Sequence, residues 1–422
     1  MEKKVVGSWI IHHTNKLQGV MSQQGYEKTY AAGKAGILLS AISSDYAEGK
    51  VSKEKLETLA SASGINKIFE LPAILETLKQ RHLIDQSSSG ETVVLGVTSA
   101  TVLKHTSDIF TSLDPTAIES AAIELAELAS KAPIEASEAK EFLEDTACIT
   151  SNDTAQLFHD AQHIGFADFE SLDSQTQLIF NGNLFRRDES KKIKTVLDSL
   201  SPQEQLALTE FTEALKRRAC IEVTESTRML GKPLFDKVMA IGLLDVNVVS
   251  NSTENTGFVT LPSAFKKFGS SSMIDDAFDL AKAFLSSITY GMTKSTHARG
   301  RIQMVSRLLS ALIRGEKVGP VAAIGQDYRI LEFKGVVSVS IGEKSGRRGP
   351  MLKLEKREIG QLALQALQNG DVSEHSLASL PSAAISSYTG PEENRTLQRR
   401  KQRKDSPKTT NDMLSALRTG TI

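Results

Sequence analysis

The chain has 422 residues, 40% apolar and 24% charged, a balance that suits several folded units and excludes a wholly disordered polymer. Two cysteines, Cys148 and Cys220, are too few for a disulfide framework or a cysteine-rich zinc site. The net charge of -1 hides an asymmetry: Lys294 to Ile422 carries 22 Lys and Arg against 12 Asp and Glu, so the preceding part is acidic.

The N-terminal stretch MEKKVVGSWIIHHTNK has too short an apolar core for a secretory signal. No apolar run reaches the roughly 18–20 residues needed to span a bilayer. The expectation is an intracellular chain without membrane contact, resident metal or cofactor. Low aromatic content (5%) and stretches rich in Ala, Leu, Glu and Lys favour helices. Helical periodicity predicts Thr116–Lys131, with Ile118, Ala121, Ala122, Leu125 and Leu128 on one face. It also predicts Asp275–Ile288, with Phe278, Ala281, Phe284 and Leu285 on one side. Pro115 and Pro202 mark helix starts.

Three segments share one apolar arrangement. Leu75, Leu78, Leu83 and Ile84 form the first set, Phe235, Val238, Leu243 and Leu244 the second, and Tyr328, Leu331, Val336 and Val337 the third. Each reads as an amphipathic helix running through a short turn into an extended apolar pair. Gly242 and Gly335 stand where a left-handed closing residue belongs, and His82 takes that place in the first copy. Each pair leads through a polar tip (QSSSGE, SNSTENTG or GEKSGRRGP) into a second apolar run, as in a β-hairpin. Upstream lie candidate helices at Gly36–Ser44 and Ser52–Ala62, at Pro202–Ala219 and Glu222–Leu230, and at Arg299–Arg314 with a short helix around Pro320–Ile324.

Two helices, a third helix and a hairpin are the order of the winged helix-turn-helix superfamily, which the sequence resembles in these three pieces. The expected fold is mainly α with small β-hairpins: tandem winged-helix modules joined by a helical connector. The boundaries are an N-terminal module over 1–100, the connector over 101–200, a second module over 201–270, a basic module over 271–370 and a flexible basic tail over 371–422.

The third module holds 14 Lys and Arg against 5 Asp and Glu between Lys294 and Arg357. Arg299, Arg301, Arg307 and Arg314 are expected on its first helix, with Arg299, Arg307 and Arg314 near one face. Arg329 and Lys334 fall on its third helix, and Lys344, Arg347 and Arg348 at the hairpin tip. The resemblance implies that the third helix enters a major groove while the hairpin, or wing, touches backbone. Arginine pairs with phosphate oxygens or guanine edges in either role. The tail adds seven cations and one anion between Arg395 and Lys408, including Arg399, Arg400, Lys401, Arg403 and Lys404. The first two modules have cation-poor tips and suit dimerisation or protein docking, although Lys266 and Lys267 leave a lesser DNA role open for the second.

Enzyme signatures fall short. His159 and His163 share a helix face, but Asp160 stands where a metalloprotease helix needs Glu. Gly33–Gly36 and Gly319–Gly325 lack the Lys-Ser/Thr of a phosphate loop. Neither cysteine has a local base, and His12–His13 beside Trp9 reads as an anchor. The expected function is non-enzymatic binding of duplex DNA, as a transcriptional regulator or DNA-associated structural factor, with homodimer or partner contacts through the N-terminal modules. One alternative is a winged-helix scaffold subunit of the kind that accompanies chromosome-organising ATPases. The other is an RNA-coating nucleoprotein, against which the scarcity of aromatic residues argues.

Overall fold

The computed structural model describes residues 1–20, 24–44, 50–97, 99–171, 176–185, 189–250, 255–268, 272–295 and 301–372. The chain is mainly helical, with small antiparallel sheets of two or three strands. No helix among the described residues is long and apolar enough to cross a membrane.

One order of elements occurs four times. After α1 (Lys3–Leu17), the first unit runs through α2 (Glu27–Ser44), Val51, α3 (Lys53–Ala62), α4 (Leu71–Gln80), β1 (Ile84–Gln86) and β2 (Thr92–Val94), and α5 (Ser99–Ser112) follows it. The second comprises α6 (Ala117–Lys131), β3 (Ile134–Glu135), α7 (Ala136–Ala147), α8 (Ser151–Ile164), β4 (Asp168–Ser171) and β5 (Gln177–Phe180). Beyond α9 (Ser190–Asp198), the third has α10 (Pro202–Arg218), β6 (Ile221–Glu222), α11 (Val223–Leu230), α12 (Lys232–Ala240), β7 (Asp245–Ser250) and β8 (Asn255–Thr260). Next come α13 (Pro262–Lys266) and the long α14 (Ser272–Thr293). The fourth unit is α15 (Val305–Ile313), Val318, α16 (Ile324–Asp327), α17 (Arg329–Phe333), β9 (Val337–Lys344) and β10 (Arg347–Leu354), and α18 (Arg357–Asn369) closes the described chain.

Strand pairing repeats with the order. The short stretch between the first two helices adds antiparallel to the second hairpin strand: Val51 to Thr92, β3 to β5, β6 to β8 and Val318 to Leu352. The second unit corrects the expectation for 101–200, since the stretch read as a helical connector contains a three-stranded sheet in the order β3-β5-β4. β3 has two residues and β4 and β5 four each, too short for alternation to emerge from sequence.

The helix-to-hairpin junction closes the same way in every unit. His82 (φ 57°), Gly242 (φ 73°) and Gly335 (φ 67°) are left-handed, as the sequence predicts, and Gly165 (φ 90°) is their counterpart in the second unit. The next amide reaches back five residues: Leu83 to Leu78 at 3.0 Å, Phe166 to Ala161 at 2.9 Å, Leu243 to Val238 at 3.2 Å and Val336 to Leu331 at 2.8 Å. These bonds satisfy carbonyls that the ending helix would orphan, and aim the following apolar residue into the core. Helix starts are also local. Ser201 and Glu204 form a reciprocal cap with Pro202 at the first position of α10, and Thr116–Glu119 and Thr150–Asp153 do the same for α6 and α8.

Packing joins the units. Gly33 and Gly36 of α2 lie so near Thr14 of α1 and Thr106 of α5 that a Cβ would overlap either threonine, so the Gly33–Gly36 stretch is a helix-packing seam. Phe278, Ala281, Phe284 and Leu285 of α14 are fully buried, as predicted, in one core with Leu362, Ala363 and Ala366 of α18 and with Phe258 and Phe265. Trp9 Nε1 donates to Glu127 Oε2 at 2.7 Å, and Lys267 pairs with the same oxygen, binding α1 and α6 to the turn after α13. Lys267 is thereby mostly buried against Glu127, a pairing that a sequence separation of 140 residues hides. Lys266 approaches Asp279 at 3.9 Å.

Candidate nucleic-acid interface

The hairpin of the fourth unit is the longest in the described chain, eight residues per strand. Its turn is only Ser345 (φ 53°) and Gly346 (φ 73°), the two positive-φ residues of a tight hairpin turn. The stretch GEKSGRRGP, expected as a polar tip between the two runs, is therefore mostly strand. Register pairs Arg347 with Lys344, and Arg348 with Glu343. Directly opposed residues share a face, so Lys344 and Arg347 lie on the same side as the Ser340–Met351 and Ser338–Lys353 pairs, and Arg348 lies on the other beside an acid. The three tip cations are all exposed, but they split between two faces.

Lys317, which sequence reasoning left out of the candidate set, extends the first face by donating to Ser340 Oγ at 3.2 Å. Its place in GEKVG, between a helix end and a short strand, was the available signal. Lys353 also belongs there, paired with Glu355 at 3.0 Å. Hydrogen bonds from Ser338 and Lys353 hold the Glu355 carboxyl below its ordinary pKa, so it offsets part of that positive charge.

The arginines upstream are arranged differently from expectation. α15 begins at Val305, so Arg301 precedes it, and Arg299 lies outside the described residues. The cause is local: the Ile302 amide bonds Gly291 O at 3.0 Å, and Arg301 Nε donates to Met292 O at 2.9 Å. Residues 301–302 thus supply donors to carbonyls at the C-terminal end of α14, where a cation is also favoured. Arg307 is exposed on α15. Arg314 caps that helix, two turns from Arg307, and pairs with Glu316 at 2.7 Å.

The helix expected to read bases is short. α17 has five residues; exposed Arg329 donates Nε to Gly325 O at 3.3 Å, and exposed Lys334 is the cap. Leu331 is buried, while Ile330 is 68% and Phe333 85% exposed, so two apolar side chains stand in solvent between the two cations. Ile341 on β9 is 66% exposed. The fourth unit therefore combines a cationic hairpin face with an apolar helix face. Arg301, Lys344 and Arg347 also converge, lining one cavity of about 580 Å³.

The equivalent positions elsewhere are less basic. Lys232 pairs with Asp236, and Lys237 with Glu204 at 3.0 Å, which neutralises the α12 cations of the third unit. In the first unit, Ile68 (76%) and Phe69 (79%) stand exposed just before α4. Residues 251–254 of the third hairpin tip, and Arg399, Arg400, Lys401, Arg403 and Lys404, lie outside the described residues.

The groups considered for chemistry are dispersed. His159 and His163 stack at 6.3 Å on one face of α8. Among the described residues no three His, Cys, Asp or Glu side chains gather as a metal site. Cys148 is exposed, and Cys220 is buried, which pushes its thiol up to about 11. His12 and His13 sit buried between Trp9, Phe166 and Phe268. No protein-family model matches this chain, and no curated protein matches its sequence.

Proposed function

We propose that the chain is a non-enzymatic duplex-DNA-binding protein built from tandem winged-helix units, of which the fourth contacts DNA and the first three serve docking or dimerisation. The observation that carries this reading is the exposed Lys344–Arg347 pair at the tip of the long hairpin, on one face with Lys317 and Lys353. Neither Lys344 nor Arg347 has a carboxylate partner among the described residues. A hairpin of this shape sets successive cations along a phosphate backbone, and its affinity comes from released counterions. The fourfold order of helix, short strand or single bridged residue, two helices and hairpin, each with its left-handed junction, supports the winged-helix reading. The neutralised lysines of α12 support a non-DNA role for the third unit.

Gel shifts with duplex and single-stranded DNA and with RNA of the same sequence test the proposal. Preference for duplex is the expected result. Equal or stronger binding to single strands supports the nucleoprotein alternative, and binding to none removes the reading.

Exposed Ile330 and Phe333 favour a second reading, a scaffold subunit whose fourth unit docks on protein. Isolated large apolar residues are normal on surfaces, but two on adjacent turns of the helix expected to face DNA form a patch suited to a partner. An Ile330→Ser/Phe333→Ser variant separates the readings. It leaves duplex affinity unchanged within about twofold if the hairpin carries binding, and abolishes self-association or partner capture if the helix face does.

A further inference from the structure

We infer that the fourth unit holds a binding site for a small amphipathic anion, a carboxylate or phosphate ester with an apolar body, whose occupancy competes with DNA. The cavity of about 580 Å³ lies between the return of the chain at 301–304, the start of α15 and the hairpin. That volume is within the roughly 300–1,000 Å³ of sites for drug-sized molecules.

The lining is sorted by polarity. Exposed Arg301, Lys344 and Arg347 form the mouth, while buried Ile324 and Leu352 and half-buried Leu308 supply apolar walls. Arg301 is oriented before any ligand arrives, because its Nε is committed to Met292 O. The terminal nitrogens of its fixed guanidinium fork remain to pair with an oxyanion. Deeper in the cavity lie buried Asp327 and Tyr328. Burial, and then the charge of Asp327, raise the Tyr328 hydroxyl well above its ordinary pKa, so it stays protonated. Ile324, Leu308 and Leu352 give the interior an apolar lining suited to an apolar body. The ligand class follows: one anionic head at the mouth and an uncharged body within.

Competition with DNA rests on the function proposed above, since Lys344 and Arg347 are also the hairpin cations offered to phosphate. The site itself stands on its lining alone. The two are tested separately. Displacement of 8-anilinonaphthalene-1-sulfonate from the full chain is measured with dodecanoate, and with dodecanol as the uncharged control. Dodecanoate is expected to displace the dye at a single site at least about tenfold more effectively than dodecanol. Arg301→Ala/Lys344→Ala/Arg347→Ala should erase that difference, and Val321→Trp, which fills the cavity, should prevent binding of both. Should the filled variant not fold, the mouth variant still decides, and Lys344→Ala/Arg347→Ala, which leaves the Arg301–Met292 bond intact, decides if the triple variant is unstable. Equal displacement by acid and alcohol, or unchanged binding by the mouth variant, overturns the site. Wild-type protein titrated with duplex in the presence of dodecanoate is expected to bind more weakly. If the protein binds dodecanoate but no duplex, the ligand site stands and the DNA reading fails. If duplex affinity ignores bound dodecanoate, the competition is overturned.

Discussion

Lys344 and Arg347 face each other directly across the Ser345–Gly346 turn, two like charges at the end of one hairpin ladder. Directly opposed like charges oppose strand pairing, by an amount on the order of 0.2–1 kcal/mol. The tip is therefore electrostatically unfavourable in isolation and is relieved when an anion lies against it. Arg347→Thr should raise the thermal midpoint of the free protein slightly while weakening its hold on duplex. Calorimetric scans alongside anisotropy titrations check both signs. A variant that loses stability and keeps its affinity contradicts this relationship.

His82 gives a prediction about stability alone. It is exposed, left-handed at φ 57°, and occupies the position that glycine fills in the other three units. A non-glycine residue there costs roughly 1–2 kcal/mol, less the chain entropy that glycine adds to the unfolded state. His82→Gly should therefore stabilise the protein by up to about 1 kcal/mol, read as a higher urea midpoint, with DNA affinity unchanged. A lower midpoint would show that the His82 side chain contributes more than its backbone strain costs.

Buried His13 makes stability depend on pH. Its ring stacks 3.9 Å from Phe166, and neither nitrogen has a hydrogen-bond partner among the described residues. Burial, and next the charge of Lys16, lower its pKa to about 3, and His12 is lowered by the same burial. Both are neutral in the folded chain and titrate near 6.5 when unfolded, so the unfolded state binds more protons below that value. The associated stability is intact above pH 6.5 and falls as pH drops toward 3, by about 2 kcal/mol for His13 at pH 5. Urea unfolding from pH 7 to 5 should show this loss, and His13→Phe should flatten it. An unchanged pH slope in His13→Phe would assign the loss to other groups.

Lys267 tests the junction between the units. It pairs with Glu127, which also accepts from Trp9, and burial lowers its pKa while Glu127 raises it. Lys267→Met should destabilise the fold by roughly 3–5 kcal/mol, because it leaves a mostly buried carboxylate without its cation. The double variant Lys267→Met/Glu127→Gln should recover part of that loss. Equal unfolding midpoints for wild type and Lys267→Met contradict a structural role for this pair.

The sequence made visible those parts of the fold whose causes are local. The turns at His82, Gly242 and Gly335 follow from backbone chemistry within six residues, and the inward face of α14 follows from helical period. The second unit was missed because its signals are short. Ile134–Glu138 reads IEASE where Ile221–Glu225 reads IEVTE, and Ile164–Gly165–Phe166 repeats the helix-to-hairpin junction, but no single strand there exceeds four residues. In the candidate interface, charge was legible and placement was not. Arg301 was assigned to a helix because nothing in its neighbourhood reveals that Ile302 returns to bond Gly291. The division of Lys344 and Arg347 from Arg348 depends on a register fixed by a two-residue turn, and one residue of slip exchanges the faces.

The hairpin cations Lys344 and Arg347 are held to bind duplex phosphate, and the most direct measurement is duplex affinity across a salt series for wild type and Lys344→Ala/Arg347→Ala. Wild-type affinity should fall linearly in log–log form, and the variant should bind more weakly with a slope shallower by up to about 2, roughly one per lost phosphate contact. Identical slopes and affinities for the two proteins, or wild-type binding indifferent to salt, would contradict it.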